Sequence, residues 1–506
     1  MSGTQDNRRI DRTRLLVALG LLVVAFVPRF LTVGRAIWFD ERFTLLYTGS
    51  IRDAMAYCTK DVHPPLYFLL AAVWRMVLPS TEFSLRILSL LFGTASLVGI
   101  LLAGRAIGGW RTGIAGFLIA ALSPYHWLYS TELRPYPVFL AFSAFSIWAF
   151  FGVVRSGQLR YFIILAISSV LNLYTHYFAV FLLMTQILVF LAVALRNSVN
   201  KVWPPAFRNR QVLLGAAALG LVAIAYTPWI SALQRIITRS VIEGQAVGVG
   251  RRIGPGVTFD LLGRTFYRSL GWGVVPLCIQ LILVGWALLD RKLRDASLFF
   301  VAVWLVPFLM LIVWKPSHFI DPKYFLFVYP ATVVLVAGGL EAARRFLSAR
   351  GMASNLAFLI LVVAVSASPL LPGQHPRYAL NPADWKDVIV EIDQDVKGGD
   401  RICVLEDTKT YAMVLHYADA EFLKRHPVVF SSEGILGKGT APAASGSDVW
   451  ILRSGARSER LLSSMGNGLE YVRTWYMYPT SVSLYRWVPE GAAAVPWGVD
   501  SGPGNR

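Results

Sequence analysis

Cysteine is scarce, acid is scarce, and charge of either sign is thin. The three cysteines, Cys58, Cys278 and Cys403, are far apart and show no metal-ligand spacing, which removes both a disulfide scaffold and a zinc site. Charged residues make up 15% of the 506 positions, against about a quarter in an ordinary soluble domain. A soluble chain of three or four domains is thereby excluded. What is abundant instead is apolar: 55% of the residues are hydrophobic. Apolar runs of roughly 17–25 residues recur from Leu15 to Leu371, each long enough to cross a hydrocarbon core of about 30 Å as a helix. Beyond Leu371 they stop. No internal repeat stands out, which leaves an inverted-repeat transporter without support.

The charge is unevenly placed. Residues 372–506 hold 14 Lys+Arg and 16 Asp+Glu, so the preceding chain holds 34 and 14, a net +20 on the membrane-embedded part. There it sets topology by keeping short loops cytoplasmic, and it gives no reason to expect nucleic acid as a partner. Basic groups at Arg8 to Arg14, Arg105 and Arg111, Arg155 and Arg160, Arg196 to Arg210, Arg291 to Arg294, and Arg344 to Arg350 all agree under one assignment. It takes spans near 15–35, 84–103, 113–130, 136–154, 161–175, 177–195, 212–231, 271–289, 296–313, 324–340 and 355–371, about eleven crossings. The segment Pro64 to Leu78 is short and carries Arg75, and counting it as a crossing would invert every later loop; it reads as a helix at the outer interface. The arginines and apolar run at the N-terminus resemble a signal peptide but lack a small-residue cleavage site before Trp38, so a retained first span is expected.

The expected organisation is a transmembrane domain over 1–371, an extracytoplasmic α/β domain over 372–490 and a disordered tail over 491–506. In the second, Asp384 to Val396 has helical spacing, Gly398-Gly399-Asp400 makes a turn, and Arg401 to Leu405 reads as a buried strand. Asp448 to Leu452 and Ser481 to Tyr485 read as further strands, and Gly434 to Ser447 as a flexible loop.

Under this topology the ionisable residues collect at outer helix ends, where charge at or near membrane depth is costly and usually functional. Asp40-Glu41 follows span one, and Asp61-Val62-His63-Pro64-Pro65-Leu66-Tyr67 closes the same loop. Glu82 and Arg86 open span two; Glu132-Leu133-Arg134-Pro135-Tyr136 lies between spans three and four; Thr175-His176-Tyr177 joins spans five and six. His318, Asp321, Lys323 and Tyr324 precede span ten. Each has a structural reading as a helix cap, an interfacial aromatic, a snorkelling lysine or a solvated pair. Jointly, unlike ionisable types on one face suggest a site. The loop Ser231 to Leu270 carries Arg235, Arg239, Arg251, Arg252, Arg264 and Arg268 against the usual bias. This points to an anionic partner, lipid head group or phosphate.

At these residues the sequence resembles the bacterial relatives of the protein O-mannosyltransferases, GT-C membrane glycosyltransferases that include aminoarabinose and galacturonic acid transferases of lipopolysaccharide. The resemblance runs over about residues 15–345. It is carried by Asp40-Glu41, His63-Pro64-Pro65-Leu66-Tyr67, the Arg86 start of span two, Ser123-Pro124-Tyr125-His126 with Glu132-Leu133-Arg134-Pro135-Tyr136, Tyr174-Thr175-His176-Tyr177, and Asp321-Pro322-Lys323-Tyr324-Phe325-Leu326. The family more often has Arg-Tyr at Lys323-Tyr324, which keeps the charge but not the guanidinium fork.

The resemblance implies a GT-C fold with an external juxtamembrane helix, and an inverting transfer of a sugar from a polyprenyl monophosphate carrier to an acceptor on the periplasmic side of the inner membrane. The acceptor classes it leaves open are glycolipid, cell-envelope glycan and protein. It implies Asp40 as the base, with Glu41 orienting the catalytic site. His63, Tyr67, Arg86, Glu132, Arg134, His176, Lys323 and Tyr324 are the residues expected to bind substrate. No cofactor and no essential metal are expected. A flippase of lipid-linked sugars is the alternative; it would place ionisable groups near mid-membrane rather than at one face.

Overall fold

The computed structural model describes residues 12–30, 33, 37–60, 63–79, 81–200, 205–241, 255–269, 274–314, 321–350, 354–368, 385–405, 408–431, 449–454, 469–476 and 481–487. The expected flexible loop 434–447 and tail 491–506, with His318, Arg251 and Arg252, lie outside them. The chain forms two units, one of residues 1–35 and 43–376, the other of residues 36–42 and 377–506.

The first unit is helical. It opens with α1 (Arg12–Phe30), α2 (Phe39–Tyr47), whose first residues count with the other unit, α3 (Ile51–Cys58) and α4 (Leu66–Val77). Next come α5 (Glu82–Gly108), α6 (Trp110–Ala121), α7 (Pro124–Ser130), α8 (Tyr136–Ser156), α9 (Leu159–Leu173) and α10 (Ala179–Val199). They are followed by α11 (Pro205–Val241), α12 (Pro255–Ser269), α13 (Val274–Leu289), α14 (Arg294–Trp314), α15 (Val328–Ser348) and α16 (Ser354–Ala367). Among the described residues five segments, in α5, α8, α10, α11 and α14, are long and apolar enough to cross a membrane by length and composition. This is a multi-pass helical membrane protein.

Helix ends follow local chemistry. Thr81 caps α5 by accepting the Ser84 N–H at 3.1 Å, and Gly157 ends α8 at φ 58°, a left-handed conformation open to glycine. Small residues then let α5 approach its neighbours: a Cβ built on Gly99 stands 2.7 Å from the Cβ of Ala144 in α8, and one on Gly113 of α6 stands 2.6 Å from the Leu101 carbonyl. In lipid, where burying apolar surface gains little, such close backbone packing holds helices together. Helix α15 is surrounded by protein, with its residues from Val328 to Ala343 all buried.

Two expectations are corrected. The third span, read as continuous over 113–130, is broken: α6 ends at Ala121, Ser123 is extended at φ −75°, ψ 123°, and Pro124, with no N–H for a helical ladder, starts α7. The segment 231–270, read as a loop, is largely helical where described. Helix α11 continues to Val241 and α12 begins at Pro255, because the polar residues there still alternate with Leu, Ile and Phe at helical spacing. Arg264 in α12 pairs with Asp260 at 2.7 Å one turn away.

The second unit holds the α/β fold: α17 (Trp385–Asp395), β1 (Arg401–Leu405), α18 (Thr408–Tyr417), α19 (Ala420–Arg425), β2 (Val428–Ser431), β3 (Val449–Ser454), β4 (Leu469–Tyr476) and β5 (Ser481–Trp487). Strand order is β2-β1-β3-β5-β4, with β1 parallel to both neighbours and β5 antiparallel to β3 and β4. Strand β1 lies inside the sheet, and its Ile402, Cys403 and Val404 are buried, as a strand covered on both faces requires. Gly399, at φ 96°, makes the turn from the helix into it.

Candidate active site

The break between α6 and α7 delivers the chain to a short non-helical stretch, Thr131 to Pro135, held by its own carbonyls. Ser89 Oγ of α5 donates to the Glu132 carbonyl at 2.8 Å, and Thr44 Oγ1 of α2 donates to the Leu133 carbonyl at 2.7 Å. Tyr67 stands behind, fully buried, its hydroxyl 3.4 Å from Ser89 Oγ. Consecutive carbonyls are thus fixed by hydroxyls from two elements, which sets the direction of Arg134. Thr44→Val keeps the shape and strips one donor from a buried carbonyl, at a cost of about 1–3 kcal/mol. A thermal midpoint several degrees below wild type is expected in the same detergent; an unchanged midpoint would show that the contact contributes nothing.

Arg134, buried, places Nη2 2.7 Å from His63 Nε2 and its guanidinium carbon 5.9 Å from the centre of the Phe68 ring. A guanidinium only donates, so His63 Nε2 accepts here, and the neutral imidazole carries its proton on Nδ1. The Leu66 N–H at the start of α4 donates to the Tyr174 carbonyl at 2.9 Å and brings the tip between α9 and α10 alongside. There His176 stacks on Phe139 at 4.6 Å and lies 5.5 Å from the ring of Tyr324, while its Nδ1 accepts the Phe178 N–H at 3.2 Å. Lys323 sits in a 3-10 turn, Pro322–Phe325, capped by Asp321, with Nζ 5.6 Å from the centre of the Tyr136 ring.

The electrostatics of this cluster are cationic. Burial first, and then the electrostatic influence of His63, Arg134 and Lys323, pushes the His176 imidazole down to about 3. The ring is therefore neutral at physiological pH. The unfolded chain takes up a proton at His176 as pH falls below about 6.5, and the folded protein resists until about 3. This contribution is fully present above the unfolded value and is lost progressively between the two. His176→Phe is expected to flatten the acid side of the stability profile between pH 6 and about 4; equal slopes in thermal scans across that range would count against it.

Glu132 and Arg86 are both fully buried, the second three residues before Ser89 on α5. Asp40 and Glu41 stand at the start of α2, in the segment that counts with the second unit. They divide by environment. Glu41 is fully buried and its Oε2 accepts the Trp38 N–H at 3.1 Å, the reciprocal half of a capping box. Asp40, next to it, is partly exposed. Among the described residues no three of His, Cys, Asp and Glu converge as a metal site would need.

Sequence reading passed over Arg29. It lies inside the first apolar run and is fully buried, with Nε donating to Ser130 Oγ at 3.1 Å, Nη1 to the Ala25 carbonyl at 2.7 Å, and Nη2 2.9 Å from His126 Nδ1. The other ring nitrogen of His126 lies 2.8 Å from Ser96 Oγ. This network ties α7 to α1 and α5 just before the Glu132-Arg134 stretch. A lone arginine within an apolar run was its available signal. Thr44 and Ser89 gave none, since a hydroxyl that grips a distant carbonyl looks like any other.

Residues 62–230 match the family described as dolichyl-phosphate-mannose-protein mannosyltransferase. Among solved structures the chain is similar to ArnT from Cupriavidus metallidurans in the apo state, at 13% identity and TM-score 0.49, covering 94% of this chain and 98% of that one. It is similar also to the same protein bound to undecaprenyl phosphate, at 13% identity and TM-score 0.46, covering 95% and 98%. A third is the Archaeoglobus fulgidus oligosaccharyltransferase in complex with Zn and sulfate, at 12% identity and TM-score 0.47, covering 87% and 67%. Comparison with curated proteins gives no match. The matched stretch, 169 of the 506 residues, contains His63, Arg134 and His176.

Proposed function

We propose that this protein is an inverting glycosyltransferase that moves a sugar from a polyprenyl monophosphate carrier to a glycolipid, envelope glycan or protein on the extracytoplasmic face of the inner membrane. The observation that carries the reading is the cluster of Arg134, His63, His176 and Lys323 at one end of the helices, inside the stretch related to dolichyl-phosphate-dependent enzymes or just before α15. In this reading 1–371 is the catalytic domain and 372–490 the extracytoplasmic one.

The chemistry asks little of an acid. The leaving carrier is a phosphate monoester with a second pKa near 6, so at neutral pH it departs as an anion and needs cations rather than a proton. Arg134 supplies a planar guanidinium whose fork matches phosphate oxygens, and Lys323 adds a compact positive charge. The acceptor hydroxyl must lose its proton as it attacks from the opposite face of the sugar. One carboxylate is enough for such a displacement, and Asp40 is assigned that role. Glu41 holds the start of its helix. Glu132 is assigned to sugar hydroxyls, with His63, Tyr67, Arg86, His176 and Tyr324 shaping and charging the surroundings.

The test is release of polyprenyl phosphate by mass spectrometry from a panel of polyprenyl-phosphate sugars, with purified protein in detergent and with or without a membrane extract as acceptor. Extract-dependent release is expected from at least one donor. Movement of labelled carrier across vesicles with no glycosylated product would overturn the reading in favour of a flippase.

A further inference from the structure

We infer that Tyr417 is a positioning residue for Asp40, so that the C-terminal unit takes part in the reaction by fixing the segment that carries the acid pair. The inference rests on the glycosyltransferase reading given above.

Residues 36–42 lie far from the C-terminal unit in sequence, yet they count with it rather than with the helices on either side. The link is visible atom by atom. The backbone N–H of Ile37 donates to the Tyr417 hydroxyl at 2.6 Å, across 380 positions of chain. Ile37 is buried, so without that hydroxyl its N–H would lose a partner that water is poorly placed to replace. The next N–H, that of Trp38, is taken by Glu41. Two successive donors at the entry to α2 are thereby fixed, one by a distant hydroxyl and one by the helix itself. Asp40 follows three residues after Ile37.

Tyr417 is well placed to be an anchor. It is the last residue of α18, which buries Met413 and Val414 completely or nearly so. Its ring lies 4.8 Å from that of His416, with Lys386 Nζ 6.0 Å from its centre. The hydroxyl therefore projects from a packed helix and not from a loop. A base must sit within a fraction of an ångström of its productive position, and a displacement of about 1 Å can cost on the order of 100-fold. The cations assigned to the carrier, Arg134 and Lys323, do not depend on this bond. Loss of the hydroxyl should then slow turnover and leave carrier affinity alone.

Tyr417→Phe removes one oxygen and keeps the ring. Hydrogen exchange by mass spectrometry is expected to show the amides of residues 37–42 exchanging roughly tenfold faster, with the sheet of the C-terminal unit unchanged. In the carrier-release assay kcat should fall by about 10–100-fold with the carrier KM within about twofold. The same change in an Asp40→Asn background should cost nothing further. Tyr471→Phe, at an exposed tyrosine on β4, is the control and should retain full activity. Unchanged exchange at 37–42, unchanged kcat, or a KM raised as much as kcat is lowered would each overturn the inference. A wild type that turns over no donor refutes the glycosyltransferase reading instead, and the exchange measurement then still decides whether Tyr417 is the anchor.

Discussion

Asp40→Asn should lower sugar transfer by about 10²–10⁴-fold while carrier binding and expression stay at wild-type level. The amide keeps the size and one acceptor oxygen of the carboxylate but is far too weak a base to take the acceptor proton. Asp40 also lies in the first turn of α2, where a negative charge favours the helix dipole by about 0.3–1 kcal/mol. That share is lost as well, and it bounds the effect on stability to a degree or so. The neighbouring Glu41→Gln separates the two roles. Its amide oxygen can still accept the Trp38 N–H, so a milder loss, about tenfold, is expected. Single-turnover release of polyprenyl phosphate, with carrier affinity measured separately, distinguishes these outcomes. Equal loss in the two variants would mean that the pair acts only as a helix start, and that the base lies elsewhere.

Much of this was legible in the sequence because lipid imposes a simple code. Where described, nine of the eleven expected spans fall on one helix each, since a run of apolar residues in a bilayer must satisfy its backbone internally, while 324–340 begins in the turn Pro322–Phe325 and continues in α15. The span 113–130 failed at Ser123-Pro124, where a motif quoted for its resemblance was also a breaker. Helices α2 and α3 were not foreseen, being short and amphipathic with no long apolar run, although Ser50 caps α3 by accepting the Asp53 N–H at 3.1 Å. In the C-terminal unit β1, β3 and β5 were read from their β-branched and aromatic runs, while β2 and β4 were not. Strand β2 has only four residues, and β4 begins with Leu-Glu-Tyr and carries a register shift between Tyr471 and Arg473, which breaks the alternation that would reveal it. Sequence placed His63, Arg134, His176 and Lys323 on one face from loop parity alone. Their mutual distances follow from Ser89, Thr44 and Phe139, whose roles depend on contacts far along the chain.

The other large effect is expected at Arg134. Truncation to alanine removes the group that bonds His63 and packs over Phe68, and takes from the site the guanidinium that faces His63. A charge-assisted hydrogen bond contributes about 1.5–3 kcal/mol, so two such bonds to a departing phosphate would amount to roughly 10²–10⁴-fold in kcat/KM. The loss should fall on both constants, because the carrier phosphate is an anion in the ground state and gains charge as the sugar leaves. Arg134→Lys is the informative variant. Lysine keeps the charge but presents a point rather than a fork, and it can serve either His63 or a phosphate oxygen but not both in the same geometry. Partial recovery of KM with kcat still depressed at least tenfold is therefore expected. The His63→Phe variant probes the same bond from its other end. If Arg134 acts on the carrier, freeing it from His63 should change kcat by less than Arg134→Ala does, since the guanidinium is still present. If Arg134 serves only to hold His63, the two variants should be equally impaired, and the cation for the leaving phosphate would fall to Lys323 alone.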